Sequence, residues 1–185
     1  AAAGVTLPSA AASEAPTTEM VESNVAETAA LPGRREVTIW TLEGGTGDRN
    51  TLLPNADIVS EINPFWYELG ADGNLYGAAR DAALLAEQRT LGGRIVPTIA
   101  NDLNRVRVHA VIGTAAARTA HVQDLLALVL ENGFDGLDVD YESLYAVDRE
   151  DFSLFIEELA VAFHAEGKLL SIAVHPKSDE NGTWE

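Results

Sequence analysis

The stretch Phe134 to Leu144 reads FDGLDVDYESL. It places three aspartates and a glutamate within eight residues, Asp135 to Glu142, interleaved with Leu137, Val139 and Tyr141. Side chains alternate across a strand, so Asp138, Asp140 and Glu142 share one face at steps of roughly 6–7 Å per two residues. Leu137, Val139 and Tyr141 share the other. A carboxyl at the open end of such a row is placed for general acid–base chemistry. Two simpler readings compete. A calcium loop counted from Asp138 would need glycine at its sixth position, where Ser143 stands. An acidic, solvated edge strand would suit Leu137 and Val139, but helical segments on both sides of the stretch make an edge position a poor fit.

The elements that must hold this row alternate along the chain. EVTIWTL (36–42) is rich in β-branched and aromatic residues and reads as a strand. DRNTLLPNA leaves room for a turn or two of helix. ADIVSEINPFW is a second strand with its loop. ARDAALLAEQRTLGG (79–93) reads as a helix closed by Gly92 and Gly93, and RIVPTIAN as a third strand. RTAHVQDLLALVLENG (118–133) carries Val122, Leu125, Leu126, Val129 and Leu130 at helical spacing, with Gly133 as the expected stop. After the acidic strand, Asp148 is placed to cap a helix whose apolar face is Phe152, Phe155, Ile156, Leu159 and Phe163. Gly167 ends that helix, and KLLSIAVHP (168–176) is a fifth strand.

Strands and helices in alternation predict parallel strands with helical crossovers, in a doubly wound sheet or a (β/α)8 barrel. The acids decide between them. An open sheet meets helices on both faces, and a row of unpaired carboxylates there would cost several kcal/mol per ion. In a barrel the row points into the lumen, with its last member at the C-terminal mouth where barrel sites lie. The expectation is therefore an α/β TIM barrel with Glu142 at the mouth.

Composition limits the partners. A net charge of −17 argues against nucleic acid and against an anionic membrane surface, and no apolar run approaches a membrane span. There is no cysteine, so no thiolate zinc site. His109, His121 and His164 show no metal-ligand spacing with acids, and neither a metal nor a cofactor is expected. Residues 1–35, rich in Ala, Thr, Ser, Pro and Glu, read as a disordered tether. Residues 36–185 form the folded part.

The motif D-G-x-D-x-D-x-E, here Asp135-Gly136-Leu137-Asp138-Val139-Asp140-Tyr141-Glu142, resembles the fourth-strand signature of glycoside hydrolase family 18. That family contains chitinases, N-acetylglucosaminidases and chitinase-like lectins. The stretch NADIVSEINPFWYELGADGNL is similar to the second strand and loop of the bacterial cell-wall and spore-associated branch. The Ser-x-Gly-Gly pattern that many chitinases carry on the third strand is absent, and VPTIAN stands there. The resemblance spans about residues 36–177.

It implies a TIM barrel and substrate-assisted hydrolysis of a β-linked N-acetylglucosamine polymer, peptidoglycan or chitin. The family departs in this from the two-carboxylate scheme. By resemblance Glu142 is the acid/base, Asp140 orients the N-acetyl group, and Asp138 shares charge with Asp140. Asp135 and Gly136 belong to the motif's structural part. The alternative is a carbohydrate-binding relative without activity, against which the intact Glu142 weighs. A secreted or cell-envelope location goes with the family.

Trp40 ends the first strand, and Phe65, Trp66 and Tyr67 follow the second. Each could stack on a sugar or pack in the protein. Asn101, ending the third strand, could bind a sugar hydroxyl or cap a loop. His175 ends the fifth strand, where packing is the simpler role, and Asn181-Gly182-Thr183 fits a glycosylation sequon. A closed barrel takes about 250 residues. Only about 150 follow Glu36, room for five strands. A missing C-terminal half or a partner chain is thus expected, and residues 1–185 alone are expected to be inactive.

Overall fold

The structure, a computed structural model, describes residues 35–42, 46–55, 57–79 and 81–174. The tether expected over residues 1–35 lies outside these apart from Arg35, as do His175 and the sequon at Asn181. In chain order the elements are β1 (Thr38–Thr41), α1 (Thr46–Leu52), β2 (Glu61–Leu69), β3 (Leu75–Gly77), α2 (Ala82–Thr90), β4 (Arg94–Ile95), β5 (Thr98–Ala100), α3 (Arg105–Ile112), α4 (Ala115–Glu131), β6 (Gly136–Asp140), α5 (Arg149–Ala165) and β7 (Leu169–Ile172).

One sheet runs β1-β2-β5-β6-β7, and every pair along that path is parallel. The order follows the chain without a reversal. Right-handed crossovers that always advance in one direction put their helices on one face of the sheet. A doubly wound sheet instead reverses its order at a switch point. The five strands are therefore an arc of a barrel, with helices outside and a lumen inside.

The outer face is the core. Leu137 and Val139 from β6, and Tyr141 directly after it, are buried among Val122, Leu125 and Val129 of α4 and Phe155, Leu159 and Phe163 of α5. Each such aliphatic or aromatic side chain contributes about 1.5–3 kcal/mol by leaving water. Arg118 joins the two helices, donating to Glu158 at 2.8 Å and Asp151 at 3.2 Å. Gly133, at φ +63°, turns the end of α4 toward β6. Gly136 then enters β6 where the chain is tightest: a Cβ there would lie 2.3 Å from the Leu169 carbonyl oxygen of β7. That close approach explains the glycine of the motif.

Three local features differ from the sequence reading. RIVPTIAN is not one strand but two, β4 and β5, interrupted at Val96-Pro97, because Pro97 has no N–H to give the ladder. Its carbonyl still accepts from Asp138 N at 3.0 Å. Asp72-Gly73 turns the chain after β2 so that β3 pairs with it antiparallel. Helix α3 has no helical pattern in its sequence, RVRVHAVI, which alternates at period two. Its start is fixed instead by Asn104, whose side chain accepts from Val106 N. Among the described residues no helix is long and apolar enough to cross a membrane.

Candidate active site

Register places the lumen residues. Thr98 of β5 lies opposite Asp138 of β6, which lies opposite Ser171 of β7. Asp138 is 3% exposed. Its Oδ2 accepts from Trp40 Nε1 at 3.0 Å and from Thr98 Oγ1 at 2.9 Å, and its Oδ1 accepts from Ser171 Oγ at 2.6 Å. Donors from β1, β5 and β7 thus converge on one carboxylate of β6. A buried charge left without partners costs several kcal/mol, and these three donors offset that cost. They also fix where the carboxylate points.

One alternation further, Asp140 lies opposite Ala100, which lies opposite Glu68 of β2. Glu142 follows β6 by two residues and is half-buried. The Asn101 side chain holds its backbone from both sides: Asn101 Nδ2 donates to the Glu142 carbonyl at 2.9 Å, and Glu142 N donates to Asn101 Oδ1 at 2.9 Å. At the rim, Arg107 of α3 bonds Glu68 and the Leu69 carbonyl, and its other Nη lies 3.6 Å from Asp102.

Two expectations about sugar contact are corrected here. Trp66 is 1% exposed and Tyr67 is buried, so neither has a face for a sugar. A register shift between Phe65 and Tyr67 breaks the alternation of β2, and the Trp66 and Tyr67 rings pack on Phe134 instead. Asn101 is 1% exposed and bonded at both ends of its amide to Glu142, so it does not reach a sugar hydroxyl. The aromatics that do face the lumen are Trp40, 59% exposed, and Phe65, half-buried, with ring centroids 6.4 Å apart.

Comparison with known proteins now bears on this arrangement. The family model described as Glycosyl hydrolases family 18 matches residues 73–185, more than half of the chain. The chain belongs to this family. YdhD of Bacillus subtilis, named as a sporulation-specific glycosylase, is 30% identical over 154 residues, covering 80% of this chain and 36% of YdhD. This chain therefore spans little more than a third of that relative. The spore cortex-lytic enzyme SleL of Bacillus megaterium superposes with a TM-score of 0.71 at 17% identity, over 83% of this chain and 38% of SleL. A chitinase from Chromobacterium violaceum does so with a TM-score of 0.66 at 24% identity, over 78% and 48% of the two chains. At those identities the two structures speak for the fold, a TIM barrel of which this chain supplies an arc.

The remaining motif residues of this family 18 chain stand behind the row. Asp135 Oδ2 accepts from Ile95 N at 2.8 Å and Asp135 N donates to the Ile95 carbonyl, joining β4 to the start of β6. Tyr141 turns away from the lumen and shares a 2.9 Å hydrogen bond with His121 Nε2, the two rings stacked with Phe155. Burial pushes the His121 pKa down to about 4 and the Tyr141 hydroxyl up. Asp148 was expected to cap α5 but makes no side-chain cap bond. It is buried, and its Oδ1 meets His109 Nδ1 of α3 at 2.7 Å. Among the described residues no cluster of three or more His, Asp and Glu is placed to hold a metal ion.

Sequence reasoning missed Thr98 and Ser171. Their one signal was a hydroxyl interrupting an otherwise apolar strand, in VPTIA and KLLSIAV.

Proposed function

We propose that the protein is a retaining, substrate-assisted glycosidase of β-linked N-acetylglucosamine polysaccharide. Glu142 gives its proton to the glycosidic oxygen as the bond to the anomeric carbon breaks. The carbonyl oxygen of the substrate's own N-acetyl group, oriented by Asp140, bonds that carbon from the opposite face and gives an oxazolinium ion. Water then attacks the same carbon as its bond to the carbonyl oxygen breaks and the N-acetyl group is restored, the water's proton passes to Glu142, and the configuration is retained. Asp138 shares charge with Asp140 as the positive ion forms. The observation that carries this reading is the carboxylate row with Asp138 fixed by Trp40, Thr98 and Ser171, within a family of glycosyl hydrolases.

Peptidoglycan is the first substrate to test and chitin the second, because the relative with 30% identity is named for sporulation. The site would act outside the cell or in its envelope. The rest of the barrel, on the same polypeptide or a partner chain, would complete the lumen wall between β7 and β1.

The test uses oligosaccharides in pairs, one N-acetylated and one bearing free amines, with the full-length protein. The N-acetylated substrate is cleaved with a product of retained configuration, and the free-amine analogue is not. Asp140→Asn lowers kcat far more than it raises KM, since the N-acetyl group is held most tightly in the transition state. Equal turnover of the two substrates would overturn the substrate-assisted mechanism, and binding without any turnover would favour a lectin-like protein.

A further inference from the structure

We infer that Asn101 is a positioning residue for Glu142, and that the segment from Asn101 through α3 is the device that aims the acid; this rests on the glycosidase reading. Glu142 lies beyond the last ladder pair of β6, which ends at Asp140. Strand pairing therefore does not fix its backbone. The Asn101 amide replaces the missing ladder. Its N–H is received by the Glu142 carbonyl and its oxygen receives the Glu142 N–H, both at 2.9 Å, as a neighbouring strand would do. With both the N–H and the C=O of one residue held, rotation of the peptide planes on either side of Glu142 is restricted. The direction of its Cβ, from which the carboxyl extends, is set.

The backbone around this contact is unusual on both sides. Asp102 and Leu103, directly after Asn101, have φ of +53° and +55°, and Ser143, directly after Glu142, has φ of +56°. These are the only non-glycine residues among those described with positive φ. Such conformations cost of order 1–3 kcal/mol each and persist only where surrounding contacts hold them. Here they let both strands turn sharply at the point where the amide clasps Glu142.

The same segment grips the following loop twice more. The Arg105 guanidinium lies 5.4 Å over the Tyr145 ring, and His109 meets that ring edge-on at 5.8 Å while bonding the buried Asp148. Residues 142 to 148 are thus held at three points by residues 101 to 109. Only the first point acts on Glu142 itself. Asn101 is 1% exposed and does not touch substrate, so its effect passes through the acid.

A misplacement of about 1 Å in a reacting group can cost roughly a hundredfold in rate. Asn101→Asp tests this in the full-length protein. The new carboxylate keeps the oxygen that accepts from Glu142 N but has no hydrogen for the Glu142 carbonyl, and it keeps the size of the side chain. We expect kcat to fall about a hundredfold with KM within about threefold. Asn101→Ala should show the same split. Thermal melting and binding of the oligosaccharide identify folded variants. Arg105→Ala, which touches the loop but not Glu142, should lower kcat by less than either variant.

Wild type and Glu142→Gln are run beside them. If the wild type cleaves, Glu142→Gln does not, and folded Asn101→Asp and Asn101→Ala retain wild-type kcat, the positioning role is overturned while the glycosidase reading stands. A rise in KM with unchanged kcat would likewise overturn it, since that pattern belongs to a residue that binds substrate. If the wild type itself does not cleave, it is the glycosidase reading that fails.

Discussion

Trp40 combines an open ring with a committed polar hydrogen. Its indole N–H points at Asp138 at 3.0 Å, while the residue is 59% exposed and its ring lies beside Phe65. A sugar stacked on that ring would rest on a group that also holds Asp138 of the acidic row. The two roles separate in Trp40→Phe, which keeps an aromatic face and loses the N–H. A hydrogen bond to a charged group contributes about 1.5–3 kcal/mol. We therefore expect kcat to drop about tenfold or more in Trp40→Phe with KM little changed, and both parameters to suffer in Trp40→Ala. Steady-state kinetics on an N-acetylated oligosaccharide decide the matter. An unchanged kcat in Trp40→Phe would show that Thr98 and Ser171 suffice for Asp138.

At the scale of elements, β6 is supported from behind by a stacked layer of His121, Tyr141 and Phe155 between α4 and α5. His121 is 2% exposed, and its ordinary pKa of 6.5 is pushed down to about 4 by burial. The unfolded chain then takes up a proton before the folded one as pH falls. Stability from this group is complete above about pH 6.5 and is lost as pH drops toward 4, by about 3 kcal/mol in all. Melting curves between pH 7 and 4 should show the loss. His121→Phe, which keeps a ring in the stack, should flatten that part of the profile. An unaltered slope in the variant would place the pH sensitivity elsewhere.

The same elements show what the chain made legible. The acids of β6 announced their face because period-two alternation is a local property, and the apolar stripes of α4 and α5 announced theirs for the same reason at period 3.6. Trp66 and Tyr67 misled because the β2 register shift sends both to the helix side, and a bulge leaves no mark in composition. Helix α3 was silent because Arg105, Arg107 and His109 alternate with valines, a strand-like pattern overruled by the Asn104 cap and by packing against the loop after β6. The partners of Asp138 come from β1, β5 and β7, residues 98, 40 and 33 positions away along the chain. Register between strands is a tertiary fact, and the acidic motif alone could not name them.

For the molecule as a whole, the sheet order leaves β1 and β7 with one strand neighbour each among the described residues. Near these edges Trp40, Leu42 and Val174 are exposed, the last two at 74% and 80%. Unpaired strand edges beside exposed apolar side chains invite association. Residues 1–185 alone should therefore elute from size-exclusion chromatography as dimers or larger species and should not cleave chitooligosaccharides. A monomer with full activity would mean that five strands are enough for the site.

Glu142 is the proposed proton donor. Glutamine is nearly isosteric with glutamate and keeps the main-chain N–H and carbonyl that Asn101 holds, but it has no acid proton to give. The direct measurement is the rate of reducing-end release from peptidoglycan and from a chitooligosaccharide by the full-length protein and its Glu142→Gln variant, with melting temperature and oligosaccharide binding measured in parallel. General acid catalysis contributes roughly 10²–10⁴-fold. Glu142→Gln should fold and bind as the wild type does and cleave at less than about a hundredth of its rate. A folded variant that retains more than that fraction would contradict it.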